Sequence, residues 1–172
     1  MDLNHLDKYI LGETEEEILC LSDEENQKIA VAMIQQAELH LDLLSRDFDP
    51  LVYDNEECRD VIEDLALRSR YSRIRILLHD PTKVSRRGHL ILQLGKRLGS
   101  LIQFRRLADV HKSISDTFMI VDGIGYMHRP HTDTLMAKVN FKDRPSAKKL
   151  LLLFEKLWKD GEYDPNTGTF II

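Results

Sequence analysis

Five residues in the stretch SDTFMIVDGIGYMHRPHTD (115–133) have the side-chain types best suited to chemistry: Asp122, His128, Arg129, His131 and Asp133. Carboxylates and imidazoles are metal-ligand types, and an arginine can pair with phosphate or carboxylate through its planar fork. One expectation is therefore a metal-assisted hydrolase around Asp122, His128 and His131. Strand alternation opposes it. His128 shares parity with Asp122 only if both strands keep simple geometry through the turn, and Pro130 ends the second strand before His131. The competing reading is a solvated polar loop with no metal. His111-Lys112 is another reactive pair, but neighbouring strand residues face opposite ways, and a loop near the sheet edge suits it better.

Arg86-Arg87, Lys96-Arg97 and Arg105-Arg106 make a basic zone. If they converge with Arg73, Arg75 and Arg129 they form a surface for nucleic acid or another polyanion, since phosphate contacts need only positive charge at spacing. The residues expected to hold an anion are Arg86, Arg87, Arg105, Arg106 and Arg129. No aromatic residues interleave for base stacking, however, and solvated helix faces with local ion pairs are the competing reading. The DGIG at 122–125 lacks the third glycine and following helix of a dinucleotide motif. No P-loop, GxSxG elbow or HExxH occurs either, so no cofactor is implied.

These residues must be positioned by elements that periodicity and caps predict. Ser22 with Glu25 forms a capping box ahead of Ile29, Ala30, Met33 and Ile34, giving a helix over 23–37. LHLDLL (39–44) alternates as a strand, SRDFDPLVYDN is a polar loop, and Asp54 opens a helix that runs to Arg70. RIRILL (73–78) is the clearest strand and closes on a loop with His79, Asp80 and Pro81. A helix over 84–98, a strand over 101–105 and a polar connection over 108–116 follow. The run 118–121 then turns at Asp122-Gly123 into a second strand, another strand spans 135–139, and a helix spans 146–159 between Pro145 and Gly161. That last helix is apolar over much of its circumference, which predicts burial against the sheet or a partner.

This order predicts an α/β fold with a mixed, largely parallel β-sheet flanked by helices on both faces. Residues 1–22 are expected to form an acidic arm or hairpin, 23–160 the domain, and 161–172 a tail docked on it, with 169–172 as an edge strand or groove cover.

At 172 residues the chain fits one compact domain, and no apolar run approaches the roughly 20 residues that span a bilayer. The opening residues lack a basic segment followed by an apolar core, so a cytoplasmic location is expected. Cys20 and Cys58 lack the companions of a zinc site and are expected to be buried apolar residues. Net charge is −5, but residues 1–60 hold 17 acidic and 4 basic side chains, whereas residues 61–172 hold 12 acidic and 20 basic. The acidic part is expected to lie across the basic part and neutralise much of it.

The strand order, with 73–78 leading into a loop and 118–123 as the late strand carrying IVDG, resembles one half of a phospholipase D fold. The resemblance covers residues 23–160 and extends to a group of bacterial phospholipase D-like domains. In that superfamily the late strand carries H-x-K-x4-D followed by G-S-x2-N, and two halves, from one chain or a dimer, join their motifs. One histidine attacks phosphorus, the other protonates the leaving oxygen, and lysines neutralise the phosphate. Counted back from Asp122, the histidine position holds Ser115 and the lysine position Thr117. Downstream, Gly-Ser is Arg129-Pro130 and the asparagine position holds Asp133. The resemblance thus implies the fold without the hydrolase groups: a binding or regulatory module, expected to pair with a second copy or a protein partner, with Asp122 holding the Gly123 turn or pairing with an arginine.

Overall fold

The computed structural model describes residues 3–164. After a 3-10 turn at Leu3–Lys8 comes β1 (Ile18–Cys20), and then Ser22 caps α1 (Asp23–Gln35). The Ser22 hydroxyl accepts from the Glu25 amide while the Glu25 carboxylate takes the Leu21 amide. β2 (His40–Ser45), α2 (Pro50–Tyr53), α3 (Glu56–Arg68) and β3 (Arg73–Leu78) follow. Asn55 rather than Asp54 caps α3; the Asp54 carboxylate instead accepts from the Leu90 amide.

The single helix predicted over 84–98 is two helices, α4 (Pro81–Arg87) and α5 (Leu90–Arg97). Gly88 breaks them with φ of 76°, a value that glycine adopts without a Cβ penalty. Both α2 and α4 open with Asp-Pro, the aspartate capping and the proline occupying the first turn where its missing N–H costs nothing. The chain is completed by β4 (Ile102–Arg106), a 3-10 turn at Asp109–His111, β5 (Thr117–Val121), β6 (Gly125–Arg129), β7 (Ala137–Asn140) and α6 (Arg144–Asp160).

The strands form one mixed sheet in the order β1-β7-β6-β5-β2-β3-β4. Parallel pairing joins β2, β3 and β4, whose connections pass through helices, and the other joints are antiparallel. Ile18–Cys20 pairs with β7, so the segment before residue 22 supplies an edge strand of this sheet rather than a hairpin of its own. Beyond α6 the chain bridges back from Glu162 to Arg106. The β-prone end at 169–172 lies outside the described residues.

Helices cover both faces. Leu41, Leu43, Ile74, Ile76, Met119 and Val121 point into a core shared with α1 to α5, whereas Leu44, Leu77, Phe118 and Ile120 meet Phe154, Leu157 and Trp158 of α6. Arg75 lies in that second layer. Its Nε donates to Asp42 at 2.6 Å, its terminal nitrogens donate to Glu155 at 3.1 and 2.6 Å, and its guanidinium sits 4.9 Å from the Phe154 ring centroid. Burial opposes its charge, but the bonds to Glu155 and Asp42 outweigh that and raise its pKa. Docking of α6 is thereby tied to one buried cation, and removing a partner would strand a charge.

Cys20 and Cys58 are buried, and burial pushes each thiol up to about 12. Cross-pairs such as Asp42 with Arg75, Asp47 with Lys83, Asp49 with Arg129 and Glu15 with Lys142 link the acidic early part to the basic later part. Among the described residues no helix is long and apolar enough to cross a membrane.

Candidate functional site at the ends of β2 and β5

At Ser45 the chain leaves β2 and runs through Arg46, Asp47, Phe48 and Asp49 into α2. Phe48 has φ of 53°, an uncommon conformation for a bulky residue. Its ring fixes it, stacking on His89 at 4.2 Å and meeting Tyr53 at 5.4 Å and Phe104 at 6.3 Å. His89 in turn donates through Nε2 to the Phe48 carbonyl at 3.0 Å and accepts the Ile91 amide at Nδ1, 3.2 Å away. A ring with one donating and one accepting nitrogen is neutral. Burial pulls its pKa down to about 4, against the opposing carboxylate of Asp54 at 3.7 Å.

The anchored loop holds Asp47 and Asp49 over a cavity of about 180 Å³ that Ser45, Thr117, Arg129 and Asp133 also line. Register explains the meeting: Thr117 lies opposite Arg129 across β5 and β6, and Leu44 lies opposite Phe118 across β2 and β5. Arg129 donates to Asp49 at 2.5 Å, its side chain only 8% exposed. Asp47 receives Lys83 at 2.7 Å. With Arg46 and Thr132 added, the lining has two arginines and three aspartates, so it is formally negative. Among the described residues neither histidine nor lysine lines it. Tyr53 lies buried behind, its hydroxyl without a hydrogen-bond partner among the described residues and its pKa raised by burial despite nearby Arg129.

Three of the positions singled out in the sequence, Thr117, Arg129 and Asp133, therefore do share a site. Ser115 stands just outside it, donating to the Pro130 carbonyl at 3.3 Å. Asp122 does not take part. It ends β5 at the opposite edge, with φ of 52°, and its carboxylate accepts the amides of Glu38, Leu39 and His40 at 2.7, 2.9 and 2.7 Å. The expectation that it holds the Gly123 turn or pairs with an arginine is corrected: it ties the end of β5 to the turn entering β2.

The expected metal cluster is not assembled. His128 lies opposite Phe118, about 13 Å along β5 from Asp122 at strand spacing, and its Nε2 meets Asp116 at 2.7 Å. His131 is exposed in the following loop, and among the described residues no group of three histidine, cysteine or acidic side chains could hold a metal. The five arginines also fail to converge. Arg105 donates to the Trp158 carbonyl at 2.6 Å, Arg106 pairs with Asp109 and Glu162, and Arg87 donates to the Asp47 carbonyl at 2.9 Å. Arg86 is exposed on α4. His111 bonds Asp160 at 2.7 Å from its 3-10 turn.

The mixed sheet in the order β1-β7-β6-β5-β2-β3-β4, with helices on both faces, is a phospholipase D-like fold. Nuc from Salmonella typhimurium, a phospholipase D family member, superposes with a TM-score of 0.60 at 14% identity, over 86% of this chain and 97% of that one. NucT from Helicobacter pylori gives 0.57 at 11%, over 87% and 99%. TrmBL2, an archaeal chromatin protein with a novel mode of DNA binding, gives 0.64 at 16% identity over 86% of this chain, which spans 54% of that protein. Such identities carry the fold alone. No curated protein matches the sequence. Residues 22–170 match the family described as "Domain of unknown function (DUF7931)", and the chain belongs to that family.

Proposed function

We propose that this domain binds without hydrolysing: a phospholipase D-like fold used as a cytoplasmic binding or regulatory module. The observation that carries the reading is the cavity at the ends of β2 and β5. The hydroxyls there, on Ser45, Thr117 and Thr132, share the cavity lining with no imidazole, and a hydroxyl without a base is a poor nucleophile at neutral pH. The one deeply placed cation, Arg129, is already neutralised by Asp49, and the formally negative lining opposes a phosphodiester. A ligand with a hydrogen-bonding, uncharged or cationic group suits Asp133 and the hydroxyls better.

The test is turnover of single-stranded DNA, duplex DNA and a phospholipid by purified protein. None is expected. Turnover that disappears in Arg129→Met and Thr117→Val, with folding intact by circular dichroism, overturns the proposal.

A protein partner is supported by the margin of the sheet. Leu19 of β1 is 46% exposed, turned away from the larger core that holds Ile18 and Cys20, and Leu21 and Met136, just beyond the ends of β1 and β7, are 63 and 44% exposed. Exposed apolar residues beside a strand edge that is unpaired among the described residues suit strand addition by a second chain.

A further inference from the structure

The outer face of α6 carries an arrangement that the cavity does not use. At about 100° per residue, Lys148, Lys149, Lys156 and Lys159 fall within a quarter to a third of the helix circumference, centred on Leu152, which is 62% exposed. The opposite side, Ala147, Phe154, Leu157 and Trp158, is buried on the sheet. Among the described residues none of the four lysines makes a hydrogen bond or ion pair, and Lys149 alone acts on a nearby acid, Asp143. The helix's own acids flank the stripe and are turned aside: Glu155 bonds Arg75, and Asp160 meets His111. At about 1.5 Å per residue the lysines extend over about 16 Å of the helix.

We propose that this stripe is a docking surface for the phosphodiester backbone of a double-stranded nucleic acid, recognised without regard to sequence. Charge complementarity selects that occupant. Lysine is a point charge suited to phosphate, whereas lysine is depleted at protein–protein interfaces. Absence of exposed aromatic residues from the stripe disfavours stacking on single strands, and one leucine offers too little apolar area for insertion into a lipid surface. The surface is separate from the cavity at Arg129 and stands or falls independently of it. Because the chain's net charge is −5, long-range attraction is weak and binding must come from local contacts.

The experiment is fluorescence anisotropy of the full chain with labelled duplex DNA and duplex RNA of about 20 base pairs, from about 50 to 200 mM salt. Affinity is expected to fall with salt at a log–log slope of about −3 to −4, about −0.9 for each lysine–phosphate contact. Lys148→Glu with Lys156→Glu should weaken binding at least about tenfold and reduce the slope by about two. Arg86→Glu with Lys96→Glu, an equal charge change elsewhere on exposed positions, should alter it far less. The proposal is overturned by absence of duplex binding at the lowest salt, by equal loss in both double variants, or by binding only to phosphatidylserine vesicles.

Discussion

Each end of the β2–β5 pair holds one non-glycine residue in the left-handed region, Phe48 beside the cavity and Asp122 at the far edge. The two are held by different means. Asp122 uses a short carboxylate to collect three amides, so its conformation follows from local hydrogen bonding that aspartate supports readily. Phe48 has no such aid, and a ring cluster with a neutral imidazole holds it instead. The difference teaches that the shape of the candidate site depends on the core behind it. The residue matching the catalytic signature meanwhile serves as a joint in the scaffold.

The comparison is tested most severely by Phe48→Ala. Loss of the buried ring, with alanine left in the same strained region, should cost about 4 kcal/mol by urea denaturation. A loss below about 1 kcal/mol would mean that the rings do not hold the 46–49 loop. Asp122→Ala should cost about 3 kcal/mol, since three amides lose a charged acceptor, while Asp122→Asn should fall between it and the wild type. Equal stability of the alanine variant and the wild type would remove the joint from the account.

Acid should separate the ends by a smaller amount. His89 has an ordinary value of 6.5 and a folded value of about 4, so the unfolded chain takes up the proton first. Its contribution is complete above pH 6.5 and declines as pH falls towards 4, with about 2 kcal/mol lost by pH 5. Urea midpoints at pH 7 and pH 5 measure it, and His89→Gln should flatten the difference. An unchanged slope in that variant would clear His89 of the effect.

Much of the scaffold was legible because burial on a sheet leaves a period in the sequence. RIRILL forms β3 over the predicted residues, and the capping box at Ser22 forms as read. Two departures share a cause: Asp49-Pro50 and Asp80-Pro81 read as loops in sequence, though aspartate at the cap and proline in the first turn also start helices. Apolar spacing alone did not reveal the break at Gly88, because α4 and α5 continue a similar pattern on either side of it. At the site, the resemblance to the phospholipase D motif pointed to Thr117, Arg129 and Asp133 but not to their acidic neighbours. The pairing of Asp49 with Arg129 comes from tertiary folding, and no local pattern encodes it.

The pairing of β1 with β7 has a consequence for how the domain comes into being. Ile18 finds its partner in Val139, so on the ribosome the first strand waits unpaired until nearly the whole domain has been synthesised. The closing of that seam is a late event in folding, since such distant segments must be brought together to form it. In hydrogen exchange, the short margin of Ile18–Cys20 should therefore be the first part of the sheet to open.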